Sequence, residues 1–238
     1  MKTYIWTLPT RIFHWLLAVS FTVAYFLGGE ETYLNYHAAL GTFIGGLVFF
    51  RLIQGFLGPR YARFSDFPIS PASIIQFITS MKQSKKLHPG HNPMAALVMI
   101  LIMVMALLTS VSGMLMLASG ETGFWGFRLA PGGDSEIFEG FHEVVANLFL
   151  FLVGIHLTGV LADAFFHKDN GTIFSIFTGY KRIMATDASN SLFQKTFSIL
   201  WFAIPLLMFF YVLGYQPMPT GEQNETEQVE GTDKDEDG

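Results

Sequence analysis

Of 238 residues, 51% are hydrophobic and only 14% are charged, against roughly 25% charged in ordinary soluble domains. With a mean hydropathy of +0.40, that balance excludes a soluble globular domain and indicates a membrane protein. The absence of cysteine excludes disulfides, iron–sulfur clusters and covalently attached c-type haem, so any haem must be held non-covalently.

The formal net charge of −5 is unevenly spread: residues 222–238 carry eight acidic side chains against Lys234 alone, and the rest of the chain is mildly basic.

In chain order, residues 11–28 form the first long apolar run, preceded by Pro9, which suits the first turn of a helix. It reads as a span rather than a signal peptide, because no small-x-small cleavage pattern follows. His14 lies one turn inside it, between Phe13 and Trp15. The second run, 34–57, carries His37 in its first turn, then Ala38, Gly41 and Gly45 on one stripe. Small residues at that spacing permit close helix packing, or, at Gly41, leave room for a flat cofactor face.

Residues 58–92 form a polar connection with Arg60, Arg63, Lys82, Lys85 and Lys86. Its middle, 71–82, is expected to be an amphipathic helix on the membrane surface. His88 and His91, also in this connection, are expected to face solvent. The third span, 93–118, has no histidine. A loop at 119–136 with acidic residues, Trp125 and Arg128 leads to the fourth span, 137–163, which contains His142 and His156. A second basic connection carries His167, Lys168, Lys181, Arg182 and Lys195, and the last span, 197–215, contains Pro205, tolerated in membranes as a kink.

Five alternating spans put 12 of the 14 lysines and arginines on one side, leaving Arg128 and Lys234 opposite. Positive charge marks the cytoplasmic face, so the N-terminus is expected inside and the acidic tail outside. The fourteen residues between His142 and His156 amount to nearly four helical turns, roughly 21 Å, on one face. The topology gives His37 the depth of His142, and His14 the depth of His156. Two neutral imidazoles on facing helices can hold a low-spin iron with no open position, which suits electron transfer.

Several segments together resemble the bacterial cytochrome b561 and nickel-iron hydrogenase b-type cytochrome subunits: LPTRIFHW at 8–15, GPRYARF at 58–64, GHNP at 90–93, HE at 142–143 and GIHLTGV at 154–160. The resemblance implies an all-α membrane protein, a four-helix transmembrane haem-binding bundle, here with a fifth transmembrane helix. It implies two non-covalent haems b, with His14, His37, His142 and His156 as iron ligands, and electron transfer between the quinone pool of a bacterial inner membrane and a partner redox protein. The domains expected are a di-haem bundle at 1–183, an additional span at 184–216 and an acidic disordered tail at 217–238.

Arg51 could pair with a haem propionate or snorkel to lipid headgroups. Asn92 and His91 are candidates for a quinone site, with helix capping as the alternative for Asn92. A second possible quinone location is near His37 and Trp125. The expected partners are lipid, quinone and an external c-type cytochrome or a dehydrogenase or hydrogenase subunit, with no nucleic acid. Two other functions stay open on the residues alone: a superoxide:quinone oxidoreductase on the same scaffold, and a haem-free membrane anchor.

Overall fold

The computed structural model describes residues 1–29, 31–80, 88–119, 135–166 and 171–214. Lys82, Lys85, Lys86, Trp125, Arg128, His167, Lys168 and the acidic tail lie outside the described residues.

Among the described residues, five helices are long and apolar enough to cross a membrane: α1 (Leu8–Leu27), α2 (Leu34–Leu57), α4 (Pro93–Ser119), α5 (Ser135–Phe166) and α7 (Leu192–Gly214). The chain is therefore a multi-pass, all-α membrane protein. Between α2 and α4 lies the expected surface helix, α3 (Pro71–Ser80), with Ile75 and Ile78 exposed. Two short elements have no counterpart in the sequence reading. They are α6 (Thr172–Thr178) and a two-stranded antiparallel ribbon of β1 (Thr3–Tyr4) and β2 (Tyr180–Lys181).

The helix ends follow local chemistry. Pro9 falls at the start of α1, where its missing N–H would be unpaired anyway. The Oδ1 of Asn92 accepts the backbone N–H of Ala95 at 2.8 Å, so Asn92 caps α4. α2 stops at Gly58, whose N–H donates to the Gln54 carbonyl at 2.7 Å. A Cβ at Gly58 would stand 2.3 Å from that same oxygen.

α2 is the central helix, packed along α1, α4 and α7. Consecutive glycines serve two different neighbours. A Cβ on Gly45 would meet the Ser110 side chain of α4 at 2.9 Å, and one on Gly46 would meet Pro205 of α7 at 3.0 Å. Without a hydrophobic drive between helices in lipid, such close approach supplies the dispersion contact that holds them. Trp201 of α7, fully buried, donates its indole N–H to the Leu47 carbonyl of α2 at 2.9 Å.

α5 lies close along α4. It meets α1 through side chains, chiefly Phe149 against Phe21 with ring centroids 4.0 Å apart. These two rings belong to the apolar core formed with Ile44, Val48, Met103 and Ala106.

The ribbon ties the N-terminus to the segment after α5. Thr3 pairs with Lys181 and Tyr4 with Tyr180, and the amides of Ile5 and Trp6 both donate to the Gly179 carbonyl. Gly179 has φ +88°, and a Cβ there would meet the Tyr4 ring at 2.5 Å, so glycine alone fits. This clasp marks one end of the bundle, the ribbon end.

Candidate functional site: two facing histidine pairs

At the end of the bundle away from the ribbon, α2 brings His37 opposite His142 of α5, with ring centroids 5.9 Å apart. At the ribbon end, α1 brings His14 opposite His156, at 6.4 Å. Two imidazoles on opposite sides of one iron, with metal–nitrogen bonds of about 2 Å, would have ring centres roughly 6 Å apart. Both pairs match that span. On α5 the order His142, Phe149, His156 repeats every seven residues, so the Phe21–Phe149 contact fills the space between the two levels.

Hydrogen bonds set the tautomers at the first level. The Nδ1 of His37 lies 2.9 Å from the Ala24 carbonyl, which can only accept, so this nitrogen carries the proton. The hydroxyl of Ser112 donates to the Thr109 carbonyl and therefore accepts from Nδ1 of His142 at 3.0 Å. In both rings Nε2 keeps its lone pair free for a metal, the arrangement usual in histidine ligands. At the second level, Nδ1 of His14 is sealed from solvent with no hydrogen-bond partner.

Open space accompanies both pairs. A Cβ on Gly41, one turn past His37 on the same face, would meet nothing within 4 Å, and the same holds for Gly159, nearly one turn past His156. Gly113 has the opposite role: a Cβ there would press on the His142 ring at 3.1 Å. The donor set, the spans between rings and the free space fit a planar iron porphyrin. Gly41→Leu is expected to fill its space and lower haem retention at the His37–His142 level, whereas Gly41→Ala is tolerated. Haem-to-protein ratios measure this, and unchanged retention in Gly41→Leu would show the space is not used.

The polar residues singled out from sequence gather at the ribbon end. Arg51, fourteen residues past His37 on α2 as His156 is past His142 on α5, is 2% exposed. Its Nη1 has no hydrogen-bond partner, and the guanidinium lies 5.9 Å from the Phe64 ring centre.

His88 and His91, expected to face solvent, are both partly covered. His88 is half-buried against the Phe77 ring. His91 packs between Trp6 and Phe67, at 4.9 and 5.2 Å between ring centres, with Nδ1 sealed and unpartnered. Burial, and then the nearby charges of Lys181, Arg51 and His156, push the His91 pKa down to about 3, so its imidazole is neutral at physiological pH. The side-chain oxygen of Asn92 is committed to the cap of α4, which leaves its amide N–H groups to face anything beside it.

Sequence reasoning missed Ser112, Gly113 and Lys181. The first two carry no signal beyond small size in an apolar span. Lys181 reads as one basic residue among several until the ribbon turns it inward.

The sequence model of the family described as prokaryotic cytochrome b561 matches residues 5–179, well over half of the chain. The chain belongs to the prokaryotic cytochrome b561 family. It is thus a membrane cytochrome of the b type, a haem-binding electron-transfer protein, and both histidine pairs fall inside the matched region. No curated protein and no solved structure matches it. α7, at 192–214, lies beyond the family match although it packs along α2.

Proposed function

We propose that this cytochrome holds two haems b, one between His37 and His142 and one between His14 and His156. In this reading it carries electrons between the quinone pool of a bacterial inner membrane and a partner redox protein. The observation that carries the proposal is the pair of facing imidazole sets, at matching ring distances, fourteen residues apart along α5. When bound, each haem supplies a one-electron iron couple. The chain's own residues hold it, exclude water and tune its surroundings.

Pyridine haemochrome analysis of the purified protein is the direct test. About two haems b per chain are expected; a ratio near one or zero overturns the di-haem reading. The concentration of lysine and arginine on one side supports a cytoplasmic N-terminus and an external C-terminus.

Quinone exchange is proposed beside the ribbon-end pair. A quinone site combines apolar walls with a few polar groups for the ring oxygens. Here Trp6 and Phe67 supply the walls, and Nδ1 of His91 and the Asn92 amide supply the polar atoms. A neutral, unpartnered His91 serves as a hydrogen-bonding group for a ring oxygen rather than as a resident proton carrier.

His91→Ala is expected to slow quinol-driven haem reduction about tenfold, the value of one hydrogen bond, with haem content unchanged. Asn92→Asp keeps the capping oxygen and removes the amide donors, whereas Asn92→Leu removes both. Slowing in Leu but not in Asp would assign Asn92 to capping alone. Normal quinone kinetics in all three variants would remove both residues from the site.

A further inference from the structure

Among the described residues, two cations lie buried at the ribbon end with no carboxylate in an ion pair with either. Arg51, on α2, keeps an unpartnered Nη1 at the depth of the His14–His156 pair. Lys181, 8% exposed, is carried there by β2. Its Nζ donates to the Gly90 carbonyl at 3.0 Å and lies 5.2 Å from the Trp6 ring centre. Both charges, and His156, lie within electrostatic reach of His91, so the four groups share one neighbourhood.

Among the described residues the sole ion pair is Arg63–Asp66. Asp163, the acidic group that acts on Lys181, accepts a hydrogen bond from Thr172. Buried charge that is not directly paired is unfavourable. An ammonium has three donors, of which Gly90 takes one.

We propose that Arg51 and Lys181 together form a two-cation seat for the propionate carboxylates of the haem held between His14 and His156. The inference rests on the di-haem reading above and adds a residue from outside the helical bundle. The N-terminal strand, by pairing with β2, turns Lys181 inward, so the ribbon helps to build the cofactor site. Burial pushes the Lys181 pKa down to about 8, with Asp163 opposing the shift. Carboxylates beside it would restore its full charge at neutral pH. The alternative, that Lys181 only fastens the Gly90 turn to the ribbon, predicts no electrostatic effect on the iron.

The test is a potentiometric titration of the purified holoprotein, with the two haems told apart by the signal lost in His142→Ala. A cation beside the propionates favours the ferrous state, which carries one more negative charge. Lys181→Gln and Arg51→Gln should therefore each lower the midpoint potential of the ribbon-end haem and leave the other haem unmoved. Lys181→Arg and Arg51→Lys, which keep the charge, should restore it. Two haems with unchanged midpoints in both Gln variants, or equal shifts at both haems, overturn the inference and leave the di-haem reading intact. A wild-type titration that resolves only one haem overturns both. Because Lys181 lies outside the spans, its variants keep the question open to measurement even if Arg51→Gln fails to fold.

Discussion

Replacing His142 with alanine is expected to remove one haem and spare the other, lowering the haem content from about two to about one per chain. The effect should be local for three structural reasons. His142 approaches His37, not the ribbon-end pair. The two levels are separated by the packed rings of Phe21 and Phe149. His14 and His156 take their positions from α1 and from the far end of α5.

Ser112→Ala is the graded form of the same experiment. It removes the acceptor that fixes Nδ1–H of His142 and should weaken haem retention at that level about tenfold, as loss of a ligand's hydrogen-bond partner typically does. The haemochrome ratio and the low-spin electron-paramagnetic signals measure both variants. Retention of both haems in alanine variants of His14, His37, His142 and His156 alike would sink the ligand assignment.

What could be read from the sequence was whatever depends on repetition along one helix. Apolar runs of span length gave the five membrane helices, and α2 begins and ends where the sequence places it. The fourteen-residue interval on α5 and the alternation of spans predicted which histidines face each other. The structure brings those same rings together.

What could not be read depends on contacts between distant, locally unremarkable segments. Thr3–Tyr4 and Tyr180–Lys181 are too short for any strand periodicity, so the ribbon was invisible, and with it the inward turn of Lys181. His91 stands beside Gly90 and Asn92 in a stretch that reads as a polar turn. It is half-buried, with Nδ1 sealed, because Trp6 and Phe67, far away in sequence, pack against it. The capping role of Asn92 was legible as an alternative, since Asn before Pro at a helix start is a local signal.

The second large effect is expected at α7, outside the family match. Trp201→Ala removes a fully buried side chain that both packs into and hydrogen-bonds to α2. The indole is fully buried among Phe13, Phe43 and Leu47, and its N–H donates to the Leu47 carbonyl. In soluble cores, Trp→Ala costs roughly 3–5 kcal/mol. Lipid tails can solvate the exposed apolar surface, which reduces the transfer part of that loss. A destabilisation of about 3 kcal/mol is therefore expected for the α2–α7 contact. Trp201→Phe, which keeps most of the packing and gives up the hydrogen bond, should lose about 1 kcal/mol.

Gly46, where Pro205 of α7 rests, lies on the side of α2 opposite His37, nine residues or about 180° around the helix. The damage should therefore appear as a lower thermal midpoint in detergent, with the haem spectra of the folded protein unchanged. If Trp201→Ala instead bleached the haem bands at temperatures where the protein stays folded, α7 would be part of the haem site rather than a brace behind it.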